Sequence, residues 1–203
     1  MAKVITALST SLDGFIAGRD DNMQQPLGRH GSRLFDWFAD GDTRSRFYEQ
    51  FHLSPASAEF FDAFAARCGA VISGRRTYDF AKAAWAGAGP LPGAPLFVLT
   101  HRIPENPPRS DPPYTFVRGG MGQAVSQARE VARDKDISVM GSAGVQQAIQ
   151  LGLLDEIHVH LIPVLLGGGV RLLDHLGPGP IELACFRVVD APGVTHLSYR
   201  VVK

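Results

Sequence analysis

The sequence predicts an α/β fold in three layers: a mixed, mostly parallel central sheet flanked by helices, with a C-terminal antiparallel hairpin. Three observations carry this prediction. Short apolar runs of strand length alternate with helical stripes through the middle of the chain. Their short βα turns imply parallel strands joined by right-handed helix crossovers. The last two β-type runs, Ile181–Val189 and Thr195–Val202, face each other across Asp190-Ala191-Pro192-Gly193, a turn sequence. The chain has 203 residues, 45% hydrophobic and 20% charged. At that length roughly 70% of the unfolded surface can be buried, so a core needs no staples. Residues 1–203 are expected to form a single domain, with 19–52 inserted within it.

Val4–Ser9 is a β-type run closed by Asp13-Gly14, and Phe15-Ile16-Ala17 is a second one before Gly18. From Arg19 to His52 the chain is polar, Gly-rich and irregular, with Phe35, Trp37, Phe38, Phe47, Tyr48 and Phe51 clustered in it. It is too long for a passive loop, so some helix and a functional or oligomer-forming role are expected. Ser54-Pro55 opens a helix with Ser as N-cap and Pro in the first turn, followed by Phe60, Phe61, Phe64 and Ala65 at helical spacing. Cys68-Gly69 stops it, and Ala70–Ser73 is a short buried strand. Gly74-Arg75-Arg76-Thr77 turns into a helix over Tyr78–Trp85.

A Gly/Pro loop then leads into the strand Leu96–Thr100. His101–Pro113 carries Pro104, Pro107, Pro108, Pro112 and Pro113 and is read as an extended connector, followed by the strand Thr115–Val117. Gln123–Arg133 has Ala124, Val125, Ala128, Val131 and Ala132 on one helical stripe. Ile137–Met140 is a strand; Gly141-Ser142-Ala143-Gly144 leads into the helix Val145–Leu151. Glu156–Leu166 is the longest predicted strand. Gly167-Gly168-Gly169 ends it in a turn needing positive φ, and Leu172–Leu176 makes a short helix.

Twenty basic and 20 acidic side chains give a formal net charge of zero. This argues against duplex nucleic acid or an anionic membrane as partner, but leaves room for a local basic pocket. Two cysteines, Cys68 and Cys185, build no disulfide framework and read as reduced and buried. The N-terminal Met1–Thr6 lacks a signal-peptide layout, and no apolar run approaches the roughly 20 residues of a membrane span. A cytoplasmic protein is expected. There is no C-x-x-C with an H-x-E ahead of it, so no zinc-deaminase site is expected, and no metal.

In such sheets ligands lie at the carboxyl ends of the strands, where helix starts offer free N–H groups. Three strand-to-helix turns qualify: Gly74-Arg75-Arg76-Thr77, Thr100-His101-Arg102 and Gly141-Ser142-Ala143-Gly144. Small residues let the backbone approach a phosphate, and Arg offers a planar donor fork to it. Each charge-assisted hydrogen bond contributes about 1.5–3 kcal/mol, so two or three would select a phosphorylated cofactor. Arg75-Arg76 also reads as a solvated helix start.

Three motifs carry a family resemblance: Ser11-Leu12-Asp13-Gly14-Phe15-Ile16-Ala17, Gly74-Arg75-Arg76-Thr77-Tyr78, and Gly152-Leu153-Leu154-Asp155-Glu156-Ile157 running into Pro163-Val164-Leu165-Leu166-Gly167. With them the chain resembles the dihydrofolate-reductase-like superfamily, nearest the reductase domain of the riboflavin-biosynthesis deaminase/reductase and its stand-alone relatives. The resemblance covers nearly the whole chain outside 19–52. It implies a dihydrofolate reductase-like fold and NADPH-dependent hydride transfer to a C=N-type or carbonyl-like bond in a small heterocycle, as in 5-amino-6-(5-phosphoribosylamino)uracil reductase.

Carried over by position, Ala7 and Ile16 border the nicotinamide. Gly74, Arg75 and Thr77 cradle phosphates. Thr100, His101 and Arg102 lie near the adenine ribose and its 2′-phosphate, and Gly141, Ser142, Ala143 and Gly144 contact the pyrophosphate. Arg75, Arg76, His101 and Arg102 together favour NADPH over NADH. Many relatives have Gly-Gly where this chain has Gly141-Ser142.

Candidates for handling a proton or polarising the substrate are Asp13, Asp36 and His160. Asp13-Gly14 also reads as a plain turn, though the resemblance puts it on the loop covering the nicotinamide. Asp36, beside Trp37, also reads as a surface residue. His158 and His160 are two apart on one strand and share a face. A polar sheet face, a pocket-lining role for His160 and a metal pair are the three readings, the last without a third ligand. The aromatic set from Phe35 to Phe64 reads as core or dimer contact rather than a base-stacking platform. A homodimer is expected, from that insertion and from Ile157–Leu166 read as an exposed apolar strand. Dihydrofolate itself is disfavoured as substrate, because the folate-binding carboxylate has no clear counterpart. The alternatives are a dihydrofolate reductase and a non-catalytic NADPH-binding or sensor protein.

Overall fold

Alternation decides how the first strand packs. In β1 (Val4–Ser11) Val4 joins the apolar cluster on one side of the sheet and Ile5 the cluster on the other, both fully buried. The computed structural model describes residues 2–107 and 109–203; Met1 and Pro108, one of the connector prolines, lie outside them. After β1 come β2 (Phe15–Ala17), a 3₁₀ helix (Gly31–Ala39), β3 (Thr43–Arg44) and β4 (His52–Leu53); the 3₁₀ helix and β3 lie within the predicted insertion, and β4 straddles its end. Then follow α1 (Pro55–Arg67), β5 (Cys68–Gly74), α2 (Arg75–Trp85), β6 (Leu96–Leu99), β7 (Thr115–Val117), α3 (Gly120–Ala132) and β8 (Asp136–Met140). The chain ends with α4 (Ser142–Gln150), β9 (Glu156–Ile162), β10 (Val170–Arg171), β11 (Leu183–Ala191) and β12 (Val194–Val201).

Eight strands form one sheet in the order β11-β12-β9-β1-β8-β5-β6-β7. The pairs from β9 to β7 are parallel, and β12 joins β9 and β11 antiparallel. This is the mixed, mostly parallel sheet predicted. Residues of α3 and α4 pack on one face with Ile72, Ile137 and Val139. Tyr78 of α2 and Ala65 of α1 pack on the other with Ile5, Val71 and Val98. On that second face, nearer β9, the inserted 3₁₀ helix drives Leu34 and Trp37 into a third cluster with Ala58 and Leu53. Each fully buried aliphatic side chain here contributes about 1.5–3 kcal/mol.

The Ser54 side chain caps α1 by accepting from the Ser57 N–H, as predicted. Several expectations are corrected. Helix α2 begins at Arg75 and α4 at Ser142, each three residues earlier than read, because their turns are already helical. No helix follows Thr100–Arg102; the chain runs on into the connector. Strand β9 stops at Ile162, before Pro163, and β11 is longer. Far from being exposed, β9 is central, with Ile157 2% accessible. Leu172–Leu176 is not helical; instead Val170–Arg171 pairs with β2. The hairpin turn narrows to Pro192 and Gly193, with Gly193 at φ +69°. Cys68 is buried but Cys185 is exposed, and Val131 turns to solvent. Among the described residues no helix is long and apolar enough to cross a membrane.

Candidate active site

Strands β1 and β8 lie side by side yet pair only at Val4↔Ile137 and Ile5↔Ser138. The Thr6 hydroxyl then donates to the Val139 carbonyl at 2.8 Å, and β1 continues with β9 alone, up to Ser11↔Ile162. Beyond that point the chain leaves β1 toward α1 on one face and leaves β8 for α4 on the other. Such a reversal opens a crevice at the carboxyl ends. Ala7 is partly accessible although its strand is flanked on both sides, as is Met140 at the end of β8. Ile16 leans on the cluster of the α3/α4 face.

Two helix starts flank this crevice. The N-caps of α2 and α4 are Gly74 and Gly141, and neither helix has a side-chain cap. Their first N–H groups therefore remain available to an anion. A Cβ on Gly141 would stand 2.5 Å from the Thr77 hydroxyl, so the two turns touch. A Cβ on Gly74 would meet nothing within 4 Å. Ser142 and Ala143 stay accessible in the first turn of α4. Gly144 is buried against Val139, where it lets the helix sit close to the strand.

The third predicted turn is tied to the first through Arg75. Its Nη1 donates to the Arg102 carbonyl at 2.6 Å and to the Thr100 hydroxyl at 3.2 Å; its Nε donates to Asp79 at 2.7 Å. Arg75 and Arg102 line a groove of 330 Å³, where Arg102 pairs with the exposed Glu105 at 2.9 Å. His101 is exposed beside it. Arg76 turns away from these residues and binds Asp21 of the insertion at 2.8 Å.

Asp13 holds the other bank. The Ser11 hydroxyl donates to it at 2.5 Å, and the N–H groups of Gly167 and Leu166 at 2.7 and 3.1 Å. The Ser11 hydrogen bond, helped by those N–H groups against partial desolvation, keeps its carboxyl below the ordinary range. Asp13 therefore fastens the turn after β1 to the loop after β9. Beside it a second groove, 560 Å³, is lined by Phe15, Arg19, Asp21 and Gly168, among others.

The other two proton-handling candidates lie elsewhere. Asp36 is exposed and pairs with Arg33 at 3.2 Å. His160 is buried beneath Trp37, its ring 4.9 Å away, and its Nδ1 shares a 2.8 Å hydrogen bond with Nδ1 of His196. Burial, then the neighbouring His196 and His158, pushes its pKa well down. His158 bonds Ser198 and Glu156, and no group of three possible metal ligands occurs among the described residues. Asp21 and Arg19 escaped the sequence reading: one carboxylate and one arginine in a polar insertion carry no spacing signal.

The family described as RibD C-terminal domain matches residues 2–192. None of the curated proteins matches this chain. A solved protein of Shewanella sp. PV-4, described as a candidate riboflavin biosynthesis protein, superposes with TM-score 0.72 at 22% identity, over 100% of both chains. RibD of Acinetobacter baumannii gives 0.63 at 16%, with all of this chain covering 58% of that one. Enterococcus faecalis dihydrofolate reductase, solved with NADP(H), gives 0.58 at 14%, over 99% of this chain and 97% of that one. The fold is that of the dihydrofolate reductases.

Proposed function

This chain belongs to the RibD C-terminal domain family, and from that premise we propose that it is an NADPH-dependent reductase of a small heterocyclic substrate. The reading resembles 5-amino-6-(5-phosphoribosylamino)uracil reductase of riboflavin biosynthesis. One observation carries it: two uncapped helix starts meet at a strand crevice, beside a groove with two arginines. That donor set suits a phosphorylated dinucleotide, as does the open space beside Gly74.

In this reading the starts of α2 and α4, with Thr77, Ser142 and Ala143, hold the pyrophosphate. Arg102, supported by Arg75, Thr100 and His101, takes the 2′-phosphate. Ala7 and Ile16 border the reactive ring, and NADPH when bound supplies the hydride. The residues' own task is to align donor and acceptor carbons at about 3–3.5 Å and keep water out. Asp13, ionised, shapes the covering loop rather than giving up a proton. His160 and Asp36 would reach the substrate only if the insertion moved. The chain is read as one domain with 19–52 inserted, and as a homodimer whose mass in solution tests that part.

The test is a fluorescence titration with NADPH and NADH, for the wild type and for Arg75→Ala, Arg102→Ala. NADPH is expected to bind more tightly to the wild type, by roughly tenfold for each lost 1.4 kcal/mol. The double variant is expected to lose the preference. Equal affinity of the wild type for both cofactors would overturn the reading. Turnover with the ribosylaminouracil phosphate separates an enzyme from a protein that only binds.

A further inference from the structure

We propose that the ion pair between Asp21 and Arg76 is a clasp across the crevice, holding the segment Phe15–Asp21 closed over the phosphates of a bound dinucleotide. The proposal rests on the cofactor reading above and adds a positioning role for two residues. In the sheet, the end of β8 lies between β1 and β5. The segment following β1 forms one bank and α2, following β5, the other. Arg76 Nη2 donates to the Asp21 carboxylate at 2.8 Å and to its carbonyl at 2.9 Å, and Nε reaches the carboxylate at 3.2 Å. The guanidinium also lies 4.6 Å from the centre of the Phe80 ring, which fixes its plane. The contact thus joins residues 55 apart in sequence across the opening above Gly141.

The segment that Asp21 ends is stiff. Gly18 N–H donates to the Leu27 carbonyl and Arg29 N–H to the Arg19 carbonyl, both at 2.8 Å. Arg19 donates to the Gly167 carbonyl at 2.8 Å. A Cβ on Gly18 would lie 1.9 Å from the Arg29 carbonyl oxygen, and one on Gly169 2.0 Å from that of Ala17. Backbone packed this closely couples Asp21 to Phe15, and both line the 560 Å³ groove. In the pair that fastens this arm the Arg76 side chain is 63% exposed and that of Asp21 18%. With its guanidinium largely in solvent, such a pair is weak enough to open on each binding cycle. With its fork committed to Asp21, Arg76 acts on the cofactor through the arm, unlike Arg102.

The experiment measures NADPH release by stopped-flow fluorescence at low salt for the wild type, Asp21→Asn, Arg76→Gln and the double variant. Each single change is expected to accelerate release by about two- to fivefold, with the double variant no faster than either. Without cofactor, amide exchange across Gly18–Asn22 is expected to quicken in both single variants. Slower release from Asp21→Asn would make Arg76 a direct phosphate ligand that Asp21 competes for, and would overturn the clasp. Unchanged release or unchanged exchange would overturn it too, leaving the cofactor reading in place. A wild type that binds no NADPH would overturn both.

Discussion

Gly141 holds a backbone conformation that other residues rarely take, φ +82° with ψ 144°, directly before α4. Any side chain there adds strain of about 1–3 kcal/mol, and its Cβ would press on the Thr77 hydroxyl, 2.5 Å away. Gly141→Ala is therefore expected to lower the denaturant midpoint and to weaken NADPH binding together, since the same shift displaces both helix starts. Stability lost with affinity intact would detach this turn from the cofactor. The buried histidines make a second, independent prediction. Desolvation first, then Arg187, lowers the His196 pKa from 6.5 to about 4, and its ring bonds His160 and Ser57. The unfolded chain takes up a proton near the ordinary value while the folded chain refuses it until about 4. This contribution to stability is fully present above about pH 6.5 and drains away as pH falls through the folded pKa. His196→Gln should flatten the fall of the denaturant midpoint over that window; an unaltered slope would place the acid sensitivity elsewhere.

The inserted 3₁₀ helix matters through Trp37, 2% accessible, whose indole N–H donates to the Ser9 hydroxyl at 3.1 Å. Phe61 meets it edge-on, and Phe38 and Phe51 stack at 4.2 Å. Trp37→Ala removes the centre of that cluster, at an expected cost of about 3–5 kcal/mol in urea unfolding. A cost under about 1 kcal/mol would mean the insertion is held by its ion pairs alone. The aromatic density of this stretch was legible as buried structure because rings of that size seldom stay wet. Helix α1 was legible because Ser54-Pro55 is a local signal. What could not be read depends on distant partners. Val170–Arg171 becomes a strand only because β2 lies opposite, and two residues carry no periodicity. Glu156–Leu166 looked continuous in composition, yet the backbone leaves the sheet before Pro163. Its central place, where its apolar composition alone suggests an exposed edge, follows from the sheet order, which no single segment encodes.

At the scale of the molecule, the crevice belongs to no one segment. Residues 7–16, 74–77, 100–102 and 141–144 come together only because β1, β8, β5 and β6 are neighbours in the sheet. The sequence made each turn visible as a small-residue or basic stretch after an apolar run. It did not reveal that Arg76 faces Asp21, or that Asp13 binds the far loop, because those partners are 55 and 154 residues away. A site assembled this way exists only in the folded chain, so its ligand must stabilise folding by mass action. At a free concentration one hundred times its Kd, a ligand adds about 2.7 kcal/mol. NADPH is thus expected to raise the unfolding midpoint in proportion to the logarithm of its concentration. NADH at the same concentration should raise it less, by the margin that the Arg75 and Arg102 groove supplies. In Arg75→Ala, Arg102→Ala the two curves should coincide, each read as a shift from the variant's own cofactor-free midpoint, because Arg75 also bonds Asp79, Thr100 and the Arg102 carbonyl. If NADPH leaves the wild-type midpoint unmoved at saturating concentration, the converging turns are a feature of the fold and not a binding site.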